Sequence, residues 1–338
     1  MLVRAICDDV HLAGPDGDVA EAYTYLQTEL QRIGLSLRYG DRKTCCWSPS
    51  FPQGPSDADV AARASCSALP HALPRLAGGM FVLGSFVGTD AFVRAEALAH
   101  VEGEAASSIS SAAAAVARLA SSEARNPRDI AGLLLRVCVV SKVSYLCRTI
   151  RPDLFLPAAR RVDVLLEGAF STIYSVNRDV FSAGATAEQR LAAARVHLPT
   201  SLAGCGLRSA VTTSDAGYVA AWRAVAPAIA AASSDAARDA LETLHTQPPA
   251  APALRELVAA IGRVSAALPA ADAGLLALDT FTEPPAAGVQ RRVTHAVETQ
   301  AHTTAVAAAR PSPTARVPAQ LLRALGPRCP AAAHAAIQ

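Results

Sequence analysis

Short apolar runs broken by polar positions open the chain. Leu2-Val3-Arg4-Ala5-Ile6 and Val10-His11-Leu12-Ala13 predict two paired strands, with Asp8 and Asp9 at the turn between them. The period then changes. Val19, Ala22, Tyr23, Leu26, Leu30 and Ile33 recur at helical spacing, with Asp16 placed to cap the helix and Gly34 to end it. Leu35-Ser36-Leu37-Arg38-Tyr39 is a new extended run that leads into Gly40-Asp41-Arg42-Lys43-Thr44. After a polar loop, Met80-Phe81-Val82-Leu83-Gly84-Ser85-Phe86-Val87-Gly88 predicts a second strand pair with a tight glycine bend.

From residue 90 onward the pattern is helical. Asp90 caps a long alanine-rich stretch whose larger apolar residues are Val101, Ile109, Val116 and Leu119. Asn126-Pro127 supplies a cap and a first-turn proline for the next helix, with Ile130, Leu133, Leu134, Val137 and Val140 as its predicted inner face. Pro152 and Pro157 mark the entry to a third, which buries Val162, Leu165, Leu166, Ala169, Phe170 and Ile173. A fourth helix runs from Thr186 towards His197; Pro199 to Ser214 reads as a glycine-bearing loop, and 218–231 as helix anchored by Trp222. Past about residue 245, proline clusters interrupt alanine-rich pieces. Residues 254–268 predict an amphipathic helix and 317–325 a weaker one, with poorly packed helices and disordered connections expected from about 268.

The adjacent aspartates are the chief chemical candidate. Two neighbouring carboxylates repel, so placing them at a strand end among apolar residues is costly unless a cation neutralises them. Their hard oxygens suit magnesium. Asp-Asp is also a common turn dipeptide, because aspartate tolerates unusual backbone angles and bonds its own main chain. Both readings fit the residues.

The order of these elements resembles the C-terminal half of a reverse transcriptase palm, closest to those of non-LTR-type retroelements. Ile6-Cys7-Asp8-Asp9 is similar to the family's aromatic-x-Asp-Asp motif, although Ala5 or Ile6 stands where an aromatic is usual. Lys43 matches the lysine that follows the palm helix, and Leu83-Gly84 matches the primer-grip hairpin. Leu134-Leu135-Arg136, the run from Lys142 to Thr149, and Leu198-Pro199 with Gly204-Cys205-Gly206-Leu207-Arg208-Ser209-Ala210 are similar to segments downstream of the palm. The likeness covers residues 1 to about 225.

The resemblance implies an RNA-directed DNA polymerase: in-line nucleotidyl transfer with two magnesium ions about 3.5–4 Å apart clamping the attacking and leaving oxygens. Asp8 and Asp9 would be catalytic metal ligands, and Lys43 would neutralise the triphosphate or protonate pyrophosphate. Lys43 is one of two lysines against 29 arginines, and an ammonium can release a proton where a guanidinium cannot. A solvated strand-end cation is the plainer account of it. The family takes a further metal-binding aspartate from an earlier strand, and no room for that strand or the fingers precedes Asp8. Asp57, Asp59 and Asp90 do not sit at apolar strand ends. The expectation is an incomplete site, no primer extension by this chain alone, and the missing palm and fingers as an implied partner.

In the helical region the resemblance implies a thumb that holds the template–primer duplex. Arg136, Arg148, Arg151 and Arg208, with Arg160 and Arg161, are the candidates for phosphate contact, against ordinary helix-surface arginine. Cys205, in its glycine loop, has no histidine at a spacing that argues for nucleophilic chemistry, although His197 is near in sequence.

Composition narrows the classes. The chain has 338 residues, 51% hydrophobic and 18% charged, so it can bury a core; a net charge of +2 does not mark a nucleic-acid binder. The eight cysteines show no Cys-x-x-Cys spacing, and Cys45, Cys46, Cys66 and His71 fit no zinc pattern. Free thiols without a disulfide framework fit an intracellular location, nucleus or cytoplasm. No uninterrupted apolar run approaches the ~20 residues that span a bilayer, and residues 1–4 are no signal peptide.

The expectation is an α+β chain in three parts: a partial palm over 1–89, a helical thumb-like domain over 90–245, and an Ala/Pro-rich helical to disordered tail over 246–338. Two other classes stay open. One is a helical interaction or scaffold protein whose Asp-Asp turn is structural; the other is an unrelated magnesium-dependent phosphotransfer enzyme using Asp8 and Asp9.

Overall fold

The computed structural model of the chain describes residues 2–6, 9–39, 44–48, 69, 73, 74, 76, 78–105, 107–232 and 235–309. It is mostly helical, with antiparallel hairpins near the start, and it divides into two compact units, Met1–Ala95 and Glu96–Gln338.

In the first unit, β1 (Leu2–Ile6) pairs antiparallel with β2 (Asp9–Ala13), as the apolar runs predict. Leu2 faces Ala13 and Ile6 faces Asp9, so positions 7 and 8 form the connection. α1 (Asp16–Arg32) follows, but Pro15 rather than Asp16 holds its capping position. At its end Gly34, at φ 79°, donates to the Gln31 carbonyl at 3.0 Å, and the Leu35 amide donates to Leu30 at 2.8 Å. Both late carbonyls of the helix are thereby satisfied. Ala20 and Tyr23 of α1 are buried with Leu69 and Leu73, and Leu12, Leu37 and Cys46 pack against them. Ile33, assigned to the inner face, is 64% exposed because the glycine turns the chain away at the next residue.

β3 (Gly79–Val82) and β4 (Ser85–Gly88) form a second hairpin closed by Leu83 and Gly84. Both loop residues have positive φ, 48° and 82°, the geometry whose twist matches a two-residue hairpin. Leucine at such a φ is strained where glycine is not. Gly79 and Gly88 face each other, and a Cβ on Gly88 would collide with the Gly78 carbonyl and the Phe92 ring. Among the described residues the hairpins are two separate two-stranded sheets, where a single palm sheet was expected.

α2 (Asp90–Glu102) opens the passage to the helical unit. The alanine-rich stretch expected as one helix is two, because Ser108 accepts from the Ser111 amide and starts α3 (Ile109–Leu119). α4 (Pro127–Leu134), a π-helical turn (Leu135–Val139) and α5 (Val140–Thr149) then run on without a break. Asn126 caps α4 in the left-handed conformation, with no side-chain cap bond. The combined stretch Pro127–Thr149 is long and apolar enough, by length and composition alone, to cross a membrane, although charged residues interrupt it in the sequence. α5 packs on a later helix of this unit, and Val140, Val143, Leu146 and Cys147 are buried.

α6 (Pro152–Tyr174) buries Val162, Leu166, Ala169, Phe170 and Ile173 as its spacing predicts. α7 (Ala187–His197) begins with a reciprocal capping box between Thr186 and Gln189. The segment from 199 to 214 is only partly loop, since α8 (Ala210–Ala232) starts at Ala210. α5, α6, α9 (Asp235–Glu242), α10 (Pro252–Ser265) and α11 (Val289–Ala309) all pack against α8, whose alanines and glycine admit neighbours on every side.

Packing continues further than the composition beyond 245 suggests. Leu257, Ile261 and Val264 of α10, then Leu276, Phe281, Val289 and Val293, share one buried cluster with Ala216, Tyr218 and Val219 of α8. Polar ties explain why. The Arg223 guanidinium donates to the carbonyls of Leu275, Phe281 and Glu283, and Arg263 pairs with Asp215 at 2.8 Å. Residues 310–338, including 317–325, lie outside the described residues.

Candidate functional site

Asp8 and Lys43 lie outside the described residues. Asp9 is placed by its backbone as the first residue of β2, opposite Ile6. Among the described residues no group of three or more His, Cys, Asp or Glu side chains is placed to hold a metal ion.

Leu83 and Gly84 occupy the tip of the β3–β4 hairpin. Phe81 and Phe86 meet edge to face across the strands at 5.4 Å between ring centroids. Phe81, Leu83 and Val87 are each about two-fifths exposed, which leaves an apolar, aromatic rim on the turn.

The arginine candidates separate into two kinds. Arg151 pairs with Asp153 at 2.6 Å, Arg161 with Glu102 at 2.5 Å, and Arg208 with Glu298 at 3.0 Å. Glu298 is only 3% exposed, so Arg208 is needed at home to offset a buried carboxylate, whose pKa burial raises. Arg136 and Arg148 instead sit exposed on the π turn and α5, with Lys142 between them. Arg160 is exposed on α6.

Beside Arg136 lies an apolar stripe that the helical spacing assigns to the interior. Ile130, Leu133 and Val137 are 44%, 50% and 56% exposed, while Ala131, Leu135 and Val139 are buried in their place. Two apolar stripes at helical spacing lie in this stretch, and the one through Ala131, Leu135 and Val139, which runs into the π turn, is the one that goes in.

A buried polar cluster joins α6 to the 198–209 segment. Asp163 accepts from Ser209 Oγ at 2.6 Å and from the Ala210 amide at 2.7 Å, which makes it a cap for α8 supplied by another helix. Four residues on, Glu167 bonds His197 Nε2 at 2.9 Å, while His197 Nδ1 meets the Leu207 carbonyl at 2.9 Å. Both ring nitrogens therefore face acceptors, an arrangement only the imidazolium satisfies. Burial pushes the His197 pKa down, but Glu167, Asp163 and the Leu207 carbonyl outweigh it and hold it above the usual value. Burial raises Asp163 against the opposing pull of His197 and its three donors.

Cys205 is half-buried in the loop that folds back on α7, where its amide donates to the Arg195 carbonyl at 3.0 Å. His197 is committed to Glu167 and Leu207, so the structure does not bring it to Cys205 as a base. The thiol of Cys147 is pushed up to about 12, chiefly by burial, and is a packing residue.

The Asp163–Glu167–His197 cluster escapes sequence reading because two acids four apart on a helix look like a solvated face. The signal was the Ser209 cap with no acid of its own in the first turn of α8. No family model, curated protein or solved structure matches this chain.

Proposed function

We propose that the chain is a reverse-transcriptase-like segment of a retroelement RNA-directed DNA polymerase, comprising the later palm and a thumb-like helical domain. The observation that carries the reading is the order of elements: an acidic pair in the sequence where β1 gives way to β2, one amphipathic helix ended by glycine, a tight Leu83-Gly84 hairpin, then helices. The chemistry assigned is nucleotidyl transfer with magnesium. Asp8 and Asp9 would give hard oxygens to the metal and Lys43 a charge to the triphosphate, with a further carboxylate needed to complete a two-metal clamp.

The thumb-like part supports a duplex-facing surface. Arg136, Lys142 and Arg148 follow one continuous helical stretch beside the exposed Ile130, Leu133 and Val137. Cations of that kind hold phosphates, while aliphatic side chains lie against sugars without reading sequence. Arg151 and Arg208, committed to carboxylates, are secondary candidates.

The same aliphatic stripe also favours the helical interaction-protein reading, and salt separates the two. The test is the affinity of the chain for an RNA–DNA hybrid duplex between 50 and 200 mM salt. Binding weakens steeply with salt, and Arg136→Gln and Arg148→Gln each lower the log–log slope by about 1. Affinity unaffected by salt, or by both substitutions, removes the duplex surface from the proposal and leaves a protein-docking helix.

A further inference from the structure

We infer that the cavity between the α4–π-turn stretch, α6 and the segment after α7 binds a small zwitterion, an α-amino acid with an apolar side chain. Binding there is separate from the polymerase reading. The whole lining lies within the helical unit.

The cavity holds about 180 Å³. A pocket of about 150 Å³ admits a six-carbon ring, so the space suits a small molecule and not a peptide. Its depth and its rim differ in kind. Leu135, Phe170 and Leu207, each no more than 2% exposed, give it an apolar floor. Asp129, Arg136 and Thr200 stand exposed at the rim, with Leu133 beside them. Tyr174 and Cys205 are half-buried between the two. A ligand in such a site keeps its charged end outward and its apolar end inward, held by a few placed polar groups.

The rim selects the charges. Asp129 and Arg136 line one cavity from positions seven apart, yet among the described residues neither is in an ion pair. A purely anionic ligand is repelled by Asp129, and a purely cationic one by Arg136. A ligand with one charge of each sign satisfies both. The guanidinium offers a planar fork of donors to a carboxylate, and Asp129 accepts from an ammonium. Burial, then Cys205 and Asp129, raise the Tyr174 phenol against the pull of Arg136, so its hydroxyl stays protonated as a donor within the field of both charges.

Two glycines hold these side chains where they are. A Cβ on Gly132 would collide with the Tyr174 hydroxyl, and the Arg136 stem lies against Gly206, which sits at φ 79°. Glycine inside a helix is costly, and at position 132 it gives the phenol its place in the cavity.

The test is isothermal titration calorimetry of the full chain with L-leucine, L-valine and L-phenylalanine. Saturable binding of at least one of them is expected. Arg136→Gln and Asp129→Asn, both at exposed positions, each weaken it by about tenfold or more, because each leaves one ligand charge without its partner. The deamino analogues isocaproate, isovalerate and hydrocinnamate bind about tenfold more weakly than the parent amino acids and are indifferent to Asp129→Asn. No saturable heat from any of the three amino acids overturns the proposal, as does binding unmoved by both substitutions. Deamino analogues that bind as tightly as their parents also overturn it, leaving an anion site at Arg136 alone. No readout involves nucleic acid, so failure here is distinct from failure of the duplex surface.

Discussion

The two units of this chain differ in what their described residues bury. In the helical unit, Phe155, Phe170, Leu166, Ile173, Leu257 and Phe281 are fully enclosed, and five helices gather around α8. In the first unit, which has the acidic hairpin and the strained Leu83 turn, the described residues include a buried cluster of Ala20, Tyr23, Leu69 and Leu73, with Leu12, Leu37 and Cys46 packed against it. Strained or like-charged groups hold their place only where surrounding packing or a bound ligand stabilises them. The reading of β1–β2 as a metal-bearing hairpin therefore makes it the part of the molecule that gains most from a bound cation.

That contrast is open to direct tests, because Trp47 belongs to the first unit and Trp222 to the second. The largest effect is expected from Phe281→Ala. It empties a fully buried ring position over which Arg223 sits, and costs about 3–5 kcal/mol in denaturant unfolding followed by Trp222 fluorescence. An equal loss in the Trp47 signal would show that the two units unfold as one.

Asp163→Ala comes next, at about 3 kcal/mol, because it orphans Ser209 and the Ala210 amide and leaves the His197 charge with Glu167 alone. Asp163→Asn keeps one acceptor and loses less. If the two variants unfold alike in denaturant, charge is the whole contribution and capping none.

Gly88→Ala acts within the first unit. Its methyl group meets the Gly78 carbonyl and Phe92, costing about 1–3 kcal/mol and raising amide exchange across 79–88 while the Trp222 transition stays put. The smallest expected effect is pH-dependent. His197 has a folded pKa above its unfolded value, so its stabilising contribution is full below the unfolded value of 6.5 and fades as pH rises through the folded one. Unfolding free energy of the helical unit thus declines with rising pH across that window, and His197→Gln flattens the decline. A flat or rising profile across that window would mean that His197 is not held as the imidazolium in the folded cluster.

Local pattern was enough for much of the fold. Short apolar runs placed β1 and β2, the Leu83-Gly84 bend marked the second hairpin, and the apolar spacing of α6 named its buried face almost residue for residue. The misassigned positions share one cause: a side chain whose partner is far away in sequence. Ile130, Leu133 and Val137 satisfy helical spacing as well as the buried Ala131, Leu135 and Val139 do, and only packing against the rest of the unit decides between them. Arg208 looks like a free cation until Glu298, ninety residues on in a segment expected to be poorly packed, is found beneath it. For the acidic pair the strand pairing was legible, whereas a magnesium cradle depends on side chains that local spacing does not position.

The borrowed cap of α8 bears on how the chain acquires its shape. A helix whose opening amides are completed by Asp163, contributed 47 positions earlier, gains that stabilisation only once α6 is present. Synthesis from the N-terminus delivers α6 ahead of its client, so the hub around which α9, α10 and α11 assemble emerges onto a prepared template. Circular permutation that moves α6 behind α11 would reverse that order and slow folding, while leaving every native contact available.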